Sequence, residues 1–302
     1  MKAREKSVQA TILLFLTAVI WGGGFVAQRL AMQHLGPYLF NGYRFLLGAV
    51  TLIPVMMVRN RQQSSVNAAW EKTIQVGIAS GIFLFFGATF QQLGLVYTTA
   101  GKAGFITGLY IIIVPLLGMI WGDKTSLQTW LGAFLAVGGL YFLSVTTGIE
   151  FARGDGFELL GAFFWAGQIQ LLAKFAPSMD AVRLSFIQAL FASLISFGVG
   201  FVREPFDLAA LGAAFWPILY GGVVSIGIAY TMQVIAQQSA RPTAAAIILS
   251  LESVFAALWG WLFLKEILSP RGLLGSGLML MGMILSQIRI RSGEGQSRQI
   301  SP

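Results

Sequence analysis

Ten apolar runs, each of about 20 residues, succeed one another along this chain with only short polar connections between them, and this limits the fold more than any other feature. A helix needs about 20 apolar residues to cross a ~30 Å hydrocarbon core. Lipid offers no partner to a free N–H or C=O, so such runs cross as helices. The runs fall at 8–32, 38–58, 72–96, 101–122, 128–147, 156–176, 181–202, 212–236, 241–264 and 270–289. Composition agrees: 56% of residues are hydrophobic and 11% charged, whereas a soluble domain carries about 25% charge. The expected fold is all-α and integral to the membrane, with ten transmembrane helices. The first run is too long for a signal peptide and lacks a small-residue cleavage site. The segment 290–302 is polar and expected to be a disordered cytoplasmic tail.

Several chemistries are excluded by residue type. With no cysteine there is no disulfide, thiolate metal site or Cys nucleophile. The single histidine, His34, falls in a short loop outside the spans, so no histidine-based metal cluster forms. No GxxxxGK[ST] loop is present, so ATP does not drive the protein directly. No cofactor is expected, and an intramembrane enzyme would need paired acids or a Ser–His pair that the spans do not offer. The net charge of +8 does not point to nucleic acid, because the basic residues collect at span ends where orientation signals and lipid head groups use them. Placing the N-terminus inside puts 13 Lys and Arg in inner segments and 6 in outer ones, with Arg44 left within the second span. Both termini are therefore expected in the cytoplasm.

The two halves repeat. Trp21 in AVIWGGG matches Trp165 in AFFWAGQ at an offset of 144 residues. Gln91 matches Gln233 at 142, and Gly132 and Gly139 match Gly275 and Gly282 at 143. Each half holds five spans, an odd number, so the second enters the membrane from the opposite side. That is the inverted-topology repeat of many secondary transporters.

Two such repeats, the glycine-rich first span (WGGGFVAQ), the arginine of NGYRFLLGA, and the paired segments AGKAGFITGLYIIIVPLLG and RPTAAAIILSLESVFAALWG resemble the EamA-type branch of the drug/metabolite transporter superfamily. The resemblance covers about 8–289, as EamA-like repeats at 8–147 and 156–289. It implies an inner-membrane carrier of amino acids, other metabolites or drugs. It also implies a central cavity bounded by the first, third, fourth, sixth, eighth and ninth helices, with the fifth and tenth packed behind. The family often has Glu-Pro where this chain has Glu252-Ser253, which leaves a kink in the ninth helix without its usual cause; Pro115 remains to kink the fourth. The acidic first-span residue of the small multidrug-resistance relatives has no counterpart here.

Glu252 is the most informative side chain. It lies 11 residues beyond Arg241, about 16 Å into the membrane, where a carboxylate costs roughly 2.5–3.5 kcal/mol. Such groups face a bundle interior or a wet cavity and are functional candidates by default. Tyr110 occupies the corresponding place in the fourth span, offering a ring and a hydroxyl. Trp21, Phe25 and Gln28 share one face of the first span, and Trp165 and Gln168 share one face of the sixth, continuing to Leu172. Ring beside amide suits an amphipathic solute. Gln91, Gln92, Tyr230 and Gln233 add polar groups in the third and eighth spans. The competing account of all of these is packing. Arg44 is expected to snorkel its guanidinium to the outer surface, a gate or carboxylate-binding role being the alternative. Lys102 is expected at the outer end of the fourth span. Gly77/Gly81, Gly104/Gly108 and Gly118/Gly122 have the GxxxG spacing that lets helices approach closely.

The expected function is secondary-active transport of small metabolites such as amino acids or amphipathic compounds, by alternating access, with efflux favoured by the resemblance. Drug or cationic-compound efflux and metabolite uptake are alternatives, and a channel or non-transporting scaffold fits less well. A small-molecule substrate and the lipid bilayer are the partners, and a proton is a candidate coupling ion.

Overall fold

The structure, a computed structural model, describes residues 2–60, 70–97, 100–123, 125–144, 153–265 and 269–287. The segment 290–302, with its expected disorder, and the side chain of Lys102 lie outside the described residues. Those described form helices and no strand, in the order α1 (Lys2–Ala31), α2 (Pro37–Asn60), α3 (Trp70–Tyr97), α4 (Ala100–Gly108), α5 (Tyr110–Ile120), α6 (Leu127–Ser144), α7 (Arg153–Phe175) and α8 (Ala181–Arg203). Then come α9 (Leu208–Ala213), α10 (Phe215–Leu219), a π-helix (Tyr220–Tyr230), α11 (Thr231–Gln237), α12 (Pro242–Leu249), α13 (Glu252–Leu264) and α14 (Pro270–Gln287).

Among the described residues, eight helical stretches rather than the expected ten are long and apolar enough to cross a membrane. The other two expected spans are α6 and α14, of 18 residues each, about 27 Å long. They pack against each other through glycines. A Cβ on Gly132 would meet the Gly282 carbonyl at 2.7 Å, and one on Gly139 the Gly275 carbonyl at 2.5 Å. The same two contacts recur from the other side, at Gly282 and Gly275. Large apolar side chains such as Ile120, Val202, Leu208 and Trp216 point outward, as lipid-facing positions do when the solvent is hydrocarbon.

Two long helices are interrupted at equivalent places. Between α4 and α5, Leu109 N–H donates to Ile106 O at 3.1 Å and Ile112 N–H to Leu109 O at 2.9 Å. Between α12 and α13, Leu251 N–H donates to Ile248 O at 3.2 Å and Ser253 N–H to Ser250 O at 3.1 Å. These three-residue bonds tighten the helix locally. Pro115 removes the N–H that would serve the Ile111 carbonyl and so favours the first break. The ninth span breaks without a proline, which corrects the expectation drawn from the missing Glu-Pro. There Ser250 Oγ donates to Ile247 O at 2.8 Å, competing with the helical ladder, and Ser253 Oγ donates across to Gly104 O at 3.3 Å.

The eighth span also departs from one regular helix. Its π-helical centre turns its carbonyls toward α1, where Thr17 Oγ1 donates to Ala229 O at 3.2 Å and Trp21 Nε1 to Ser225 O at 3.5 Å. Gly222 and Gly227 let this wide helix lie against Leu47 and Thr51 of α2. Of the GxxxG pairs, Gly77 and Gly81 seat α8 at Ile187 and Gln188, and Gly108 abuts Leu140. Gly122 does not pack as the spacing suggested: it has φ 86° and nothing within 4 Å of a Cβ, and so turns the chain after α5.

Candidate functional site

The helix breaks and the π-helix meet around a small cavity, with about 40 Å³ open to water-sized groups. Ten of the twelve site residues singled out from the sequence line it. Trp21, Phe25 and Gln28 come from α1, Gln91 from α3, Tyr110 from the start of α5, and Trp165 and Gln168 from α7. Tyr230 ends the π-helix, Gln233 belongs to α11, and Glu252 begins α13. Arg44, Ile169, Ser225 and Leu249 complete the wall. Leu172 does not join it; the turn beyond Gln168 packs instead with Val76 and Leu184. Gln92 is buried outside the lining.

Aromatic rings form one side. Tyr230 lies between Trp21, at 4.5 Å between centroids, and Trp165, at 6.2 Å. The helix break places Glu252 in the first turn of α13, where the positive helix end favours an acid. Its Oε1 accepts a hydrogen bond from the Tyr110 hydroxyl at 3.2 Å. The two residues are 142 apart, the offset that aligns the halves of the sequence.

Arg44 is the principal surprise. It is 5% exposed and lines the cavity rather than snorkelling outward. Aromatic packing explains this: its guanidinium carbon lies 5.1 Å from the ring centroids of both Phe40 and Phe45, and Nε donates to Asn41 Oδ1 at 2.9 Å. A cation held over two rings is stabilised by about 2 kcal/mol or more when desolvated, so it need not reach the surface. Among the described residues its terminal amino groups have no hydrogen-bond partner, and it forms no ion pair with Glu252. The cavity thus displays one cation and one acid that do not neutralise each other.

Three of the lining residues carry unpaired polar atoms. Gln28 Oε1, Gln233 Oε1 and Trp165 Nε1 are buried without a hydrogen-bond partner among the described residues. Buried polar atoms are nearly always satisfied, so these three are hydrogen-bonding groups left unmet in residues that line the cavity. The neighbouring amides are only partly paired: Gln168 Nε2 donates to Gln188 Oε1 at 3.3 Å and Ser80 Oγ to the same oxygen at 2.6 Å, while Gln188 Nε2 has no partner among the described residues. Ser225, Leu249 and Ile169 were not singled out in the sequence, because small and aliphatic wall residues look the same as packing.

A second buried acid was also missed. Glu158 of α7 has no exposed surface, and its Oε2 accepts from Thr107 Oγ1 at 2.7 Å. It lies outside the cavity lining.

Comparison with known proteins gives a consistent picture. The EamA-like transporter family matches residues 9–145 and again 152–287. An uncharacterized transporter of Archaeoglobus fulgidus is 31% identical over 288 residues, covering 94% of this chain and 88% of the relative. The uncharacterized transporter YoaV of Bacillus subtilis is 21% identical over 286 residues, 92% of this chain and 97% of the relative. One solved crystal structure superposes with a TM-score of 0.77 at 18% identity, covering 92% of this chain and 96% of that one. That likeness is one of fold.

Proposed function

The chain belongs to the EamA-like transporter family and is a multi-pass membrane transporter; from that premise we propose a secondary-active carrier of small amphipathic zwitterions, amino acids foremost, working by alternating access. One observation carries the reading: Arg44 and Glu252 line one cavity, both buried and not paired with each other. A solute with one carboxylate and one ammonium group matches both. Its carboxylate meets the free amino groups of Arg44, a geometry that a guanidinium fits well, and its ammonium meets Glu252. The Trp21–Tyr230–Trp165 rings cover an apolar side chain, and Gln28 and Gln233 orient it through their spare acceptors.

The alternating cycle draws support from pseudo-symmetry. Gly132 meets Gly282 while Gly139 meets Gly275, so aligned positions of the two halves exchange contacts crosswise. Tyr110 and Glu252, also aligned, touch directly. Such crosswise contacts are what two inverted five-helix repeats about a two-fold axis would make, and they support a site at their junction. We place the protein in the inner membrane with both termini cytoplasmic, from the Lys and Arg distribution, and propose export by analogy with the family. Efflux of cationic amphiphiles is the second reading, favoured by the aromatic rings beside Glu252.

Purified protein in proteoliposomes tests this by counterflow with a large neutral amino acid, its amide (cation only) and its N-acyl form (anion only). Saturable exchange of the zwitterion above both analogues is expected. Preference for the amide replaces this reading with the cationic one, and absence of saturable exchange for every compound refutes the carrier.

A further inference from the structure

Glu158 is a buried acid that the substrate cavity does not use. It stands on the same face of α7 as Trp165, seven residues or two turns earlier, about 10 Å nearer the N-terminal end of that helix. Its carboxyl fills the place where a Cβ at Gly94 of α3 would be. On the other side Thr107 of α4 donates its hydroxyl to Oε2 at 2.7 Å, and Oε1 is buried with no partner among the described residues. Three helices thus close over one carboxyl group, giving it a single hydrogen bond and no cation among the described residues.

The groups around it are few. Asp155, on its own helix, is the nearby acid and has interactions of its own. α3 presents Gly94 and α4 presents Thr107, neither of which titrates. Tyr97 of α3 is exposed and stacks its ring on Phe157. Tyr110 of α5 is bonded to Glu252, and α11 and α12 contain no titratable side chain. The side chain of Lys102 lies outside the described residues. A hard metal cation takes about six or more oxygen ligands, and Glu158 and Thr107 supply three. A bare carboxylate left with one donor and no counter-charge is strongly disfavoured in such a setting. The neutral acid leaves only a modest unmet hydrogen bond at Oε1.

We propose that Glu158 is the coupling site for a proton, separate from the substrate cavity. It holds the proton on its carboxyl while α3, α4 and α7 are closed over it. When that contact opens to water the O–H bond breaks, the proton leaves to water and the carboxylate is solvated. Re-closure requires a proton to be taken up again, so closing of the helices and protonation occur together. The coupling half of this proposal rests on the carrier reading above; the protonation half does not.

The experiment uses the full-length protein. Infrared difference spectra across a pH titration in lipid read the C=O band of a protonated carboxylic acid, for the wild type and for Glu158→Gln, which keeps the shape and the acceptor for Thr107. In proteoliposomes the same two proteins are compared for exchange without a gradient and for flux driven by a proton gradient. The expected result is loss of one carboxylic-acid band and of the gradient response in Glu158→Gln, with exchange retained. Thr107→Val supplies a second readout that needs no change at the acid: removal of its one hydrogen bond shifts the same band to higher frequency. An unchanged acid band in Glu158→Gln, or a gradient response that survives in it, overturns the proposal. If no compound is transported at all, the carrier reading fails, and the infrared bands alone still decide whether Glu158 holds a proton.

Discussion

Replacing Arg44 by glutamine separates a carboxylate-binding cavity from a merely well-packed one. The side chain has two roles in the structure: its guanidinium rests on Phe40 and Phe45, and its terminal amino groups face the cavity without a partner among the described residues. The first role predicts a loss of stability of about 2 kcal/mol for Arg44→Gln, the size of a desolvated cation–π contact. The second predicts loss of a charge-assisted contact to the solute, worth about 1.5–3 kcal/mol. At 1.4 kcal/mol per tenfold, the half-saturating concentration of a zwitterion then rises about ten- to 150-fold. The two effects separate by assay, because stability is read from thermal unfolding in detergent and affinity from the concentration dependence of counterflow. They separate more sharply by substrate. An amide analogue has no carboxylate to lose, so its weaker exchange should be unchanged by Arg44→Gln. This is a double-mutant cycle in which the second change is made on the solute. Equal weakening of zwitterion and amide refutes the reasoning and returns Arg44 to a structural role.

Glu252→Gln retains an acceptor for the Tyr110 hydroxyl, so thermal unfolding should change little while counterflow of ammonium-bearing solutes is lost; undiminished counterflow at equal expression removes Glu252 from the site. Gly139→Ala directs a methyl at backbone, 2.5 Å from the Gly275 carbonyl and 2.8 Å from Met279 N, and should destabilise by about 1–3 kcal/mol. Its neighbour Gly138 has nothing within 4 Å, so Gly138→Ala should stabilise by about 0.5–1 kcal/mol through helix preference alone; the opposite signs are read from paired melting curves. Glu204 accepts the Tyr38 and Leu39 N–H groups at 2.9 and 2.8 Å, capping α2 from the end of α8. Glu204→Ala should lower stability by about 1–2 kcal/mol, and Glu204→Gln by less, since one acceptor remains.

Hydropathy was enough to place the helices because lipid leaves a chain no other way to satisfy its backbone. The polar and aromatic residues within the runs were largely legible: Glu252, Tyr110 and most of the Gln and Trp residues are costly in hydrocarbon, and ten of the twelve singled out came to one cavity, Gln92 and Leu172 excepted. Arg44 was not legible, because a long cationic side chain near a span end satisfies the sequence equally well by snorkelling. Its own helix supplies Phe40, Asn41 and Phe45, and the packing of α2 against Gly221 of the π-helix covers the stem. Glu158 escaped notice for a related reason. Five residues beyond Arg153 it resembles an interfacial acid, and its burial depends on Gly94 and Thr107 from two other helices. The break before Glu252 likewise comes from serine hydroxyls bonding to carbonyls, and the π-helix from partners on α1 and α2. The sequence alone determined which segments are apolar helices and which side chains are too polar to face lipid, since both follow from transfer between water and hydrocarbon. The tertiary structure decided which of those side chains meet, which stay unpaired and where helices open, since each of these depends on atoms supplied by helices far apart in the chain.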